Sequence, residues 1–272
     1  MAPQEDCLAL DRALKGRIFI SHEAVAVRFV TAEEMTAPPA WLEKFRRPGK
    51  GVPSKMPTCQ LMAMVRLYGW QILLTPEAVD CPTALVTLGW AALSPAYASG
   101  QLPVTPFNQS AEARSRRMTS LPRLPLGQYG ALAAAPLGNC PFDPQVVVVY
   151  GMPAQVMRLV QSALFFKGGV LQSTSYGGGG CSQYLTKVFE SKECRFILPG
   201  NGDRILGHVE EHQMAFSLPG EAMAELAQGI ELSHQGGQRY PPTKHVRSEY
   251  KLPRDYVDAS EHLRKYTAEL PK

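Results

Sequence analysis

The stretch Gln145–Phe166, QVVVVYGMPAQVMRLVQSALFF, decides the reading of the fold. Val146 to Tyr150 is apolar on both faces, as expected of a strand inside a sheet that is covered on both sides. A short turn follows, and Pro153 suits the first position of a helix, where its missing N–H removes nothing. Val156, Met157, Val160, Ala163 and Leu164 then fall on one stripe of that helix. The segment His212–Glu231, HQMAFSLPGEAMAELAQGIE, repeats the plan, with Pro219 opening a helix and Ala222, Met223, Leu226 and Ile230 forming its stripe. Pro153 and Met157 align with Pro219 and Met223. Two matching residues do not establish a duplication.

Outward from this centre, Cys7–Lys15 reads as a helix and Ala24–Thr31 as a strand. Residues 32–57 are rich in Pro, Gly and charge and read as a surface loop with one helical turn at Trp41–Phe45. Helices are expected after Pro57, stopping at Gly69, and after Pro82, with a short strand, QILLT, between them. The proline-rich stretch 94–145 reads as an arm on the surface with a short helix at Ala111–Arg117. CRFIL (Cys194–Leu198) reads as a strand, and PGNGDR (Pro199–Arg204) as a hairpin turn leading to the strand near Met214. The expected fold is therefore α/β or α+β: a mixed sheet with a central apolar strand near 146–150 and flanking helices. Residues 1–235 form a single domain, and 236–272 form an extended polar tail with a terminal helix at Glu261–Leu270.

Composition narrows the function classes. The chain has 272 residues, 45% of them hydrophobic, with a formal net charge of +4. Its basic residues are scattered among loops, whereas nucleic-acid binders concentrate them along one face. No apolar run approaches the roughly 20 residues needed to span a bilayer, and the first residues have no apolar core of the signal-peptide kind. The expectation is a cytoplasmic protein with neither a nucleic-acid nor a membrane partner; a homo-oligomer stays open. The 6 cysteines include no C-x-x-C pair and are expected as reduced thiols.

Three of them share a context. Cys59 stands in the first turn after Pro57, Cys81 immediately before Pro82, and Cys181 at the end of the glycine run Gly177–Gly180, before a segment able to form a helix. A helix start carries free N–H groups and about half a positive charge, which favours thiolate. Packing as a small apolar side chain is the competing reading for each sulfur. Gly178, Gly179 and Gly180 would let the backbone approach a ligand closely, although no phosphate-loop or dinucleotide pattern is present. Arg204 would return toward this loop to hold a carboxylate or phosphate. His208 and His212 have metal-pair spacing but stand in a turn-rich context.

Taken in order, AVAVRFV, Cys59 at a helix start, CPTALVTLGW, LPRLPLGQYG, the 146–169 segment and LPGNGDRILG…HQMAFSLPGEAMAELAQGIE resemble the prokaryotic family catalogued as domain of unknown function one hundred and sixty-nine, over roughly residues 20–235. The resemblance implies a cytoplasmic bacterial or archaeal protein, and places Cys59, Cys81, Gly202 and Arg204 at recurring motif positions. It brings no established activity.

The leading expectation is a protein that binds an anionic small molecule or cofactor, and that could act as an enzyme. Cys81 and Cys59 would be its reactive thiols, and Gly178, Gly179, Gly180, Cys181 and Arg204 its ligand-binding residues. A first alternative is an iron–sulfur or metal-binding redox accessory protein using Cys59, Cys81, Cys181 and Cys194. A second is an interaction subunit without an active site.

Overall fold

The computed structural model describes residues 3–43, 45, 52–102, 108–242 and 252–270. The middle of the 32–57 loop, part of the proline-rich arm and part of the tail lie outside the described residues. The chain divides into two compact units, Met1–Pro242 and Thr243–Lys272.

In the first unit, β4 (Val146–Gly151) is buried at every position. Its alternating side chains enter two separate cores. Val147 and Val149 join one cluster, and Val146, Val148 and Tyr150 the other. β4 is flanked by β1 (Val25–Thr31) and β6 (Met214–Pro219) in a six-stranded sheet of order β2-β3-β1-β4-β6-β5. Here β2 is Ile72–Leu74, β3 is Tyr129–Pro136 and β5 is Arg195–Ile197. The expected α+β architecture, with β4 inside the sheet and helices on both faces, is the one observed. Each ladder between these strands is antiparallel, with no mixture of directions.

One face is covered by the helices Pro3–Arg17, Pro153–Ala163 and Met223–Gln235, which bring Leu10, Leu14, Leu159, Leu226 and Ile230 onto it. The last two helices follow the neighbouring strands β4 and β6 and pack on each other. Gly229 makes that approach possible: a Cβ there would collide with the backbone carbonyl of Ser162. The other face carries Thr58–Tyr68, Pro82–Thr87 and Lys187–Ser191, with Leu61, Met62, Val65, Ala84 and Val188 in its core.

Several expectations change. β3, YGALAAAP, is a fully integrated strand inside the stretch read as a surface arm. Alanine is depleted in strands, so this run carries no strand signal. Its small side chains are instead what close packing on both faces demands, with Ala131, Ala133 and Ala135 on one side and Leu132 and Ala134 on the other. β5 and β6 pair as expected, but PGNGDR is not their turn. It enters a short helix, Asn201–Ile205, because Gly200 and Asp203 form a cap at its start. In the second unit the tail is helical over Arg254–Ala268 and not extended there. Among the described residues no helix is long and apolar enough to cross a membrane.

Candidate functional site

The cysteine-bearing helix starts are brought together by backbone pairing upstream of them. Met56 forms a parallel bridge with Val79. Its N–H donates to the Ala78 carbonyl (2.8 Å), and its carbonyl accepts from the Asp80 N–H (3.3 Å). The two chains therefore run side by side into Pro57 and Cys81, and their helices begin together above the sheet. Pro57 holds extended geometry before Thr58 and gives that helix no side-chain cap. Cys81 caps Pro82–Thr87 through its backbone, its carbonyl accepting from Leu85 N–H at 3.0 Å.

The glycine run arrives from across the sheet. Gly177 and Gly179 occupy the left-handed region, φ 69° and 67°. Helix then begins at Gly180 and passes through a π-turn at Ser182–Thr186 before becoming regular. Such turns recur at functional sites. Two contacts with Thr87 fix this segment against the Pro82–Thr87 helix: the Cys181 sulfur lies 3.8 Å from Thr87 Oγ1, and Thr186 Oγ1 donates to the Thr87 carbonyl at 3.3 Å.

The Asn201–Ile205 helix closes the remaining side. Asp203 is 3% exposed. Its carboxylate accepts from Gly200 N–H (2.8 Å) and from the Tyr184 hydroxyl (3.0 Å). A Cβ on Gly180 would strike this carboxylate, and one on Gly178 would strike the Arg117 guanidinium. The glycines thus serve close contact with two side chains of the protein itself. Arg66 holds the same region from the Thr58–Tyr68 helix. It donates to the carbonyls of Gly207 (2.9 Å) and His208 (2.6 Å) and to Gln213 Oε1 (3.1 Å), with its guanidinium 4.7 Å from the Tyr150 ring centre.

These elements enclose a cavity of about 330 Å³. Cys59, Cys81, Cys181, Gly178, Gly179 and Gly180 all line it, together with Thr58, Arg117, Tyr184 and Asp203. Arg204 does not. One helical turn that points Asp203 inward carries Arg204 outward, where it donates to the Glu210 carbonyl at 2.6 Å. Among the described residues lining the cavity, Arg117 is the cation. The signal for Asp203 was present in PGNGDR, but its burial depends on Tyr184 and Gly180, which lie far away in sequence.

The thiol chemistry also differs from expectation. Burial, the Asp203 charge and Cys81 push the Cys59 thiol up to about 12. Burial pushes Cys181 up as well. Removal from water outweighs the helix-start charge, so both sulfurs are held as thiols. Burial likewise raises Asp203, against the hydrogen bonds from Gly200 and Tyr184.

The iron–sulfur set is not assembled. Cys194 packs against the core on the opposite face of the sheet from Cys181. Among the described residues no three His, Cys, Asp or Glu side chains are grouped so as to hold a metal ion. His208 and His212 lie outside any helix. Cys7 and Cys140 are core residues, and Cys140 Sγ donates to the Phe142 carbonyl at 3.1 Å.

Residues 13–229 match the model of the family DUF169, described as "Uncharacterised ArCR". The chain is similar to an uncharacterized protein of Methanocaldococcus jannaschii, MJ0308, at 27% identity over 176 residues, which cover 64% of this chain and 75% of that protein. No solved structure matches significantly. With the whole six-stranded sheet and all three cavity cysteines inside the matched residues, the chain belongs to the DUF169 family.

Proposed function

We propose that this is a cytoplasmic small-molecule or cofactor-binding protein whose ligand occupies the cavity above β4. The ligand carries an anionic group and lies among the Gly178–Cys181 segment and the starts of the Thr58–Tyr68 and Pro82–Thr87 helices. Cys59 and Cys81 supply half-buried thiols to the wall. Arg117, half-buried against Gly178, supplies the positive charge expected of Arg204.

One observation carries the reading. Three cysteines far apart in sequence, and a glycine run distant from two of them, line a single cavity. Structural cysteines pack as small apolar side chains wherever the core needs them, and nothing in that role gathers them around an open space. The apolar walls with a few convergent polar groups are typical of small-molecule sites. All six cysteines are free, as suits a reducing compartment.

Native mass spectrometry of freshly purified protein tests this. A bound small organic molecule, released on denaturation, is expected, and Cys81→Ser should lower its retention at unchanged melting temperature. A bare chain in fresh preparations, or equal retention by the variant, would end the reading.

A further inference from the structure

Thr58 poses a problem that folding alone does not solve. It is 1% exposed, lines the cavity, and its hydroxyl oxygen has no hydrogen-bond partner among the described residues. A buried hydroxyl without a partner costs on the order of 1–3 kcal/mol, and valine has the same shape. The hydroxyl therefore needs another explanation. Thr58 is also the first residue of a helix whose entry residue, Pro57, supplies no side-chain cap. An uncapped helix start with a hydroxyl donor beside it attracts negatively charged oxygen.

The group opposite would seem to forbid this. The Asn201–Ile205 helix packs on the Thr58–Tyr68 helix. The Cys59 sulfur lies 3.9 Å from where a Cβ on Gly202 would stand, and the next residue is Asp203. A carboxylate and a ligand anion at one end of a cavity repel each other, unless one takes a proton. The groups facing Asp203 come from every neighbouring element. They are Arg204 on its own helix, Tyr184 on the π-turn, Cys181 before it, Tyr150 on β4, and Cys59 and Arg66 on the Thr58–Tyr68 helix, while Arg117 beside Gly178 and Asp80 before Cys81 line the same cavity. Arg66 is saturated by carbonyl and amide oxygens and Arg204 is turned outward. Neither offers Asp203 a close ion pair among the described contacts, and burial already favours its neutral form.

We propose that the Thr58 end of the cavity is an oxyanion subsite, taking a carboxylate, phosphate or sulfate group of the ligand, and that each binding event draws one proton from solvent onto Asp203. The Thr58 hydroxyl donates to the ligand oxygen, and protonated Asp203 removes the buried opposing charge; the Asp80 carboxylate at the same cavity is exposed and screened by solvent. The inference rests on the ligand-site reading above and adds to it where the anion sits and what accompanies it. One coupled proton means that affinity falls about tenfold per pH unit once free Asp203 is ionised.

The test uses the full chain and two probes, glycolate and sulfate, whose own charge is constant between roughly pH 6 and pH 8. Each is titrated as a protectant against N-ethylmaleimide labelling of Cys59 and Cys81, read by peptide mass spectrometry as the ratio with and without probe at each pH. Wild type is expected to show protection that weakens as pH rises, approaching tenfold per pH unit where free Asp203 is ionised. Asp203→Asn should bind at least as tightly, with no pH dependence. Thr58→Val should bind about tenfold more weakly at every pH, while melting at the same temperature or higher. Protection by both anions that ignores pH in wild type overturns the coupling. Protection unchanged in Thr58→Val overturns the subsite, as does absence of protection by either anion. Thr58→Val keeps the test decisive if Asp203→Asn fails to fold. A co-purified molecule retained equally by Thr58→Val would remove the subsite and leave the ligand-site reading standing.

Discussion

The two faces of the sheet share the same strands and are built to different ends. On one, Val147 and Val149 meet the long helices Pro3–Arg17, Pro153–Ala163 and Met223–Gln235, whose leucines and isoleucine close against them. On the other, Val146, Val148 and Tyr150 meet elements that start above the sheet, at Thr58, Pro82 and Gly180. Helix flanks interdigitate to near-crystalline density. Helix starts cannot, because their unpaired N–H groups must be left near something polar. The cavity lies where several helices begin together, with Thr58, Arg66 and Asp203 buried around it, whereas Arg158, Ser162 and Ser233, buried polar groups of the other face, sit along helix flanks. A sheet with period-two alternation can thus carry a sealed layer and a site-bearing layer without one disturbing the other.

Substitutions that damage one face and spare the other put this comparison at risk. The largest effect is expected from Leu159→Ala, fully buried on the sealed face. It should lose about 2–5 kcal/mol in denaturant unfolding while the labelling order of the cysteines stays as in wild type. A change in that order would mean that the faces are coupled. Next comes Gly180→Ala, whose new methyl would meet the Asp203 carboxylate, with Cγ only 2.8 Å away. About 1–3 kcal/mol is expected, together with faster labelling of Cys59 as Asp203 and Tyr184 shift. Destabilisation without altered labelling would show that the carboxylate moves freely.

The smallest effect sharpens the electrostatics. Asp203 is raised in the folded state by burial, so the native protein holds its proton more tightly than the unfolded chain does. That contribution is complete below the unfolded carboxyl value of about 3.9 and is lost as pH rises through the folded value. The melting temperature of Asp203→Asn should therefore gain on wild type as pH rises from about 4 to 7. A difference that stays constant, or runs the other way, would mean that the native site welcomes the charge.

Much of the frame is legible in the sequence alone. β4 was readable from its unbroken valines, the Pro153 helix from proline placement and a 3.6-residue stripe, and the three cysteines of interest from their positions at helix starts. β3 was not readable, because alanine becomes a strand residue only when flanking strands and covering helices demand small side chains. The direction of the thiol shift is not legible in the sequence for a related reason. Position at a helix start is a local property, whereas loss of water at Cys59 and Cys181 depends on everything packed around them. Arg204 was a plausible clamp by spacing, but a helical turn aims neighbouring residues about 100° apart, and Asp203 took the inward direction.

The chain's own order of residues determined which segments are apolar on both sides, where helices begin and end, and which side chains bring thiol, acid or cation chemistry. These follow from steric and hydrogen-bonding rules acting over a few neighbours. Only the tertiary structure decided that the Met56–Val79 bridge sets Cys59 beside Cys81, that Asp203 rests against Gly180, and that the Thr58 hydroxyl finds no partner among the described residues. Proximity, desolvation and the pairing of buried polar groups are relations among distant segments, and they exist only once the chain has closed on itself.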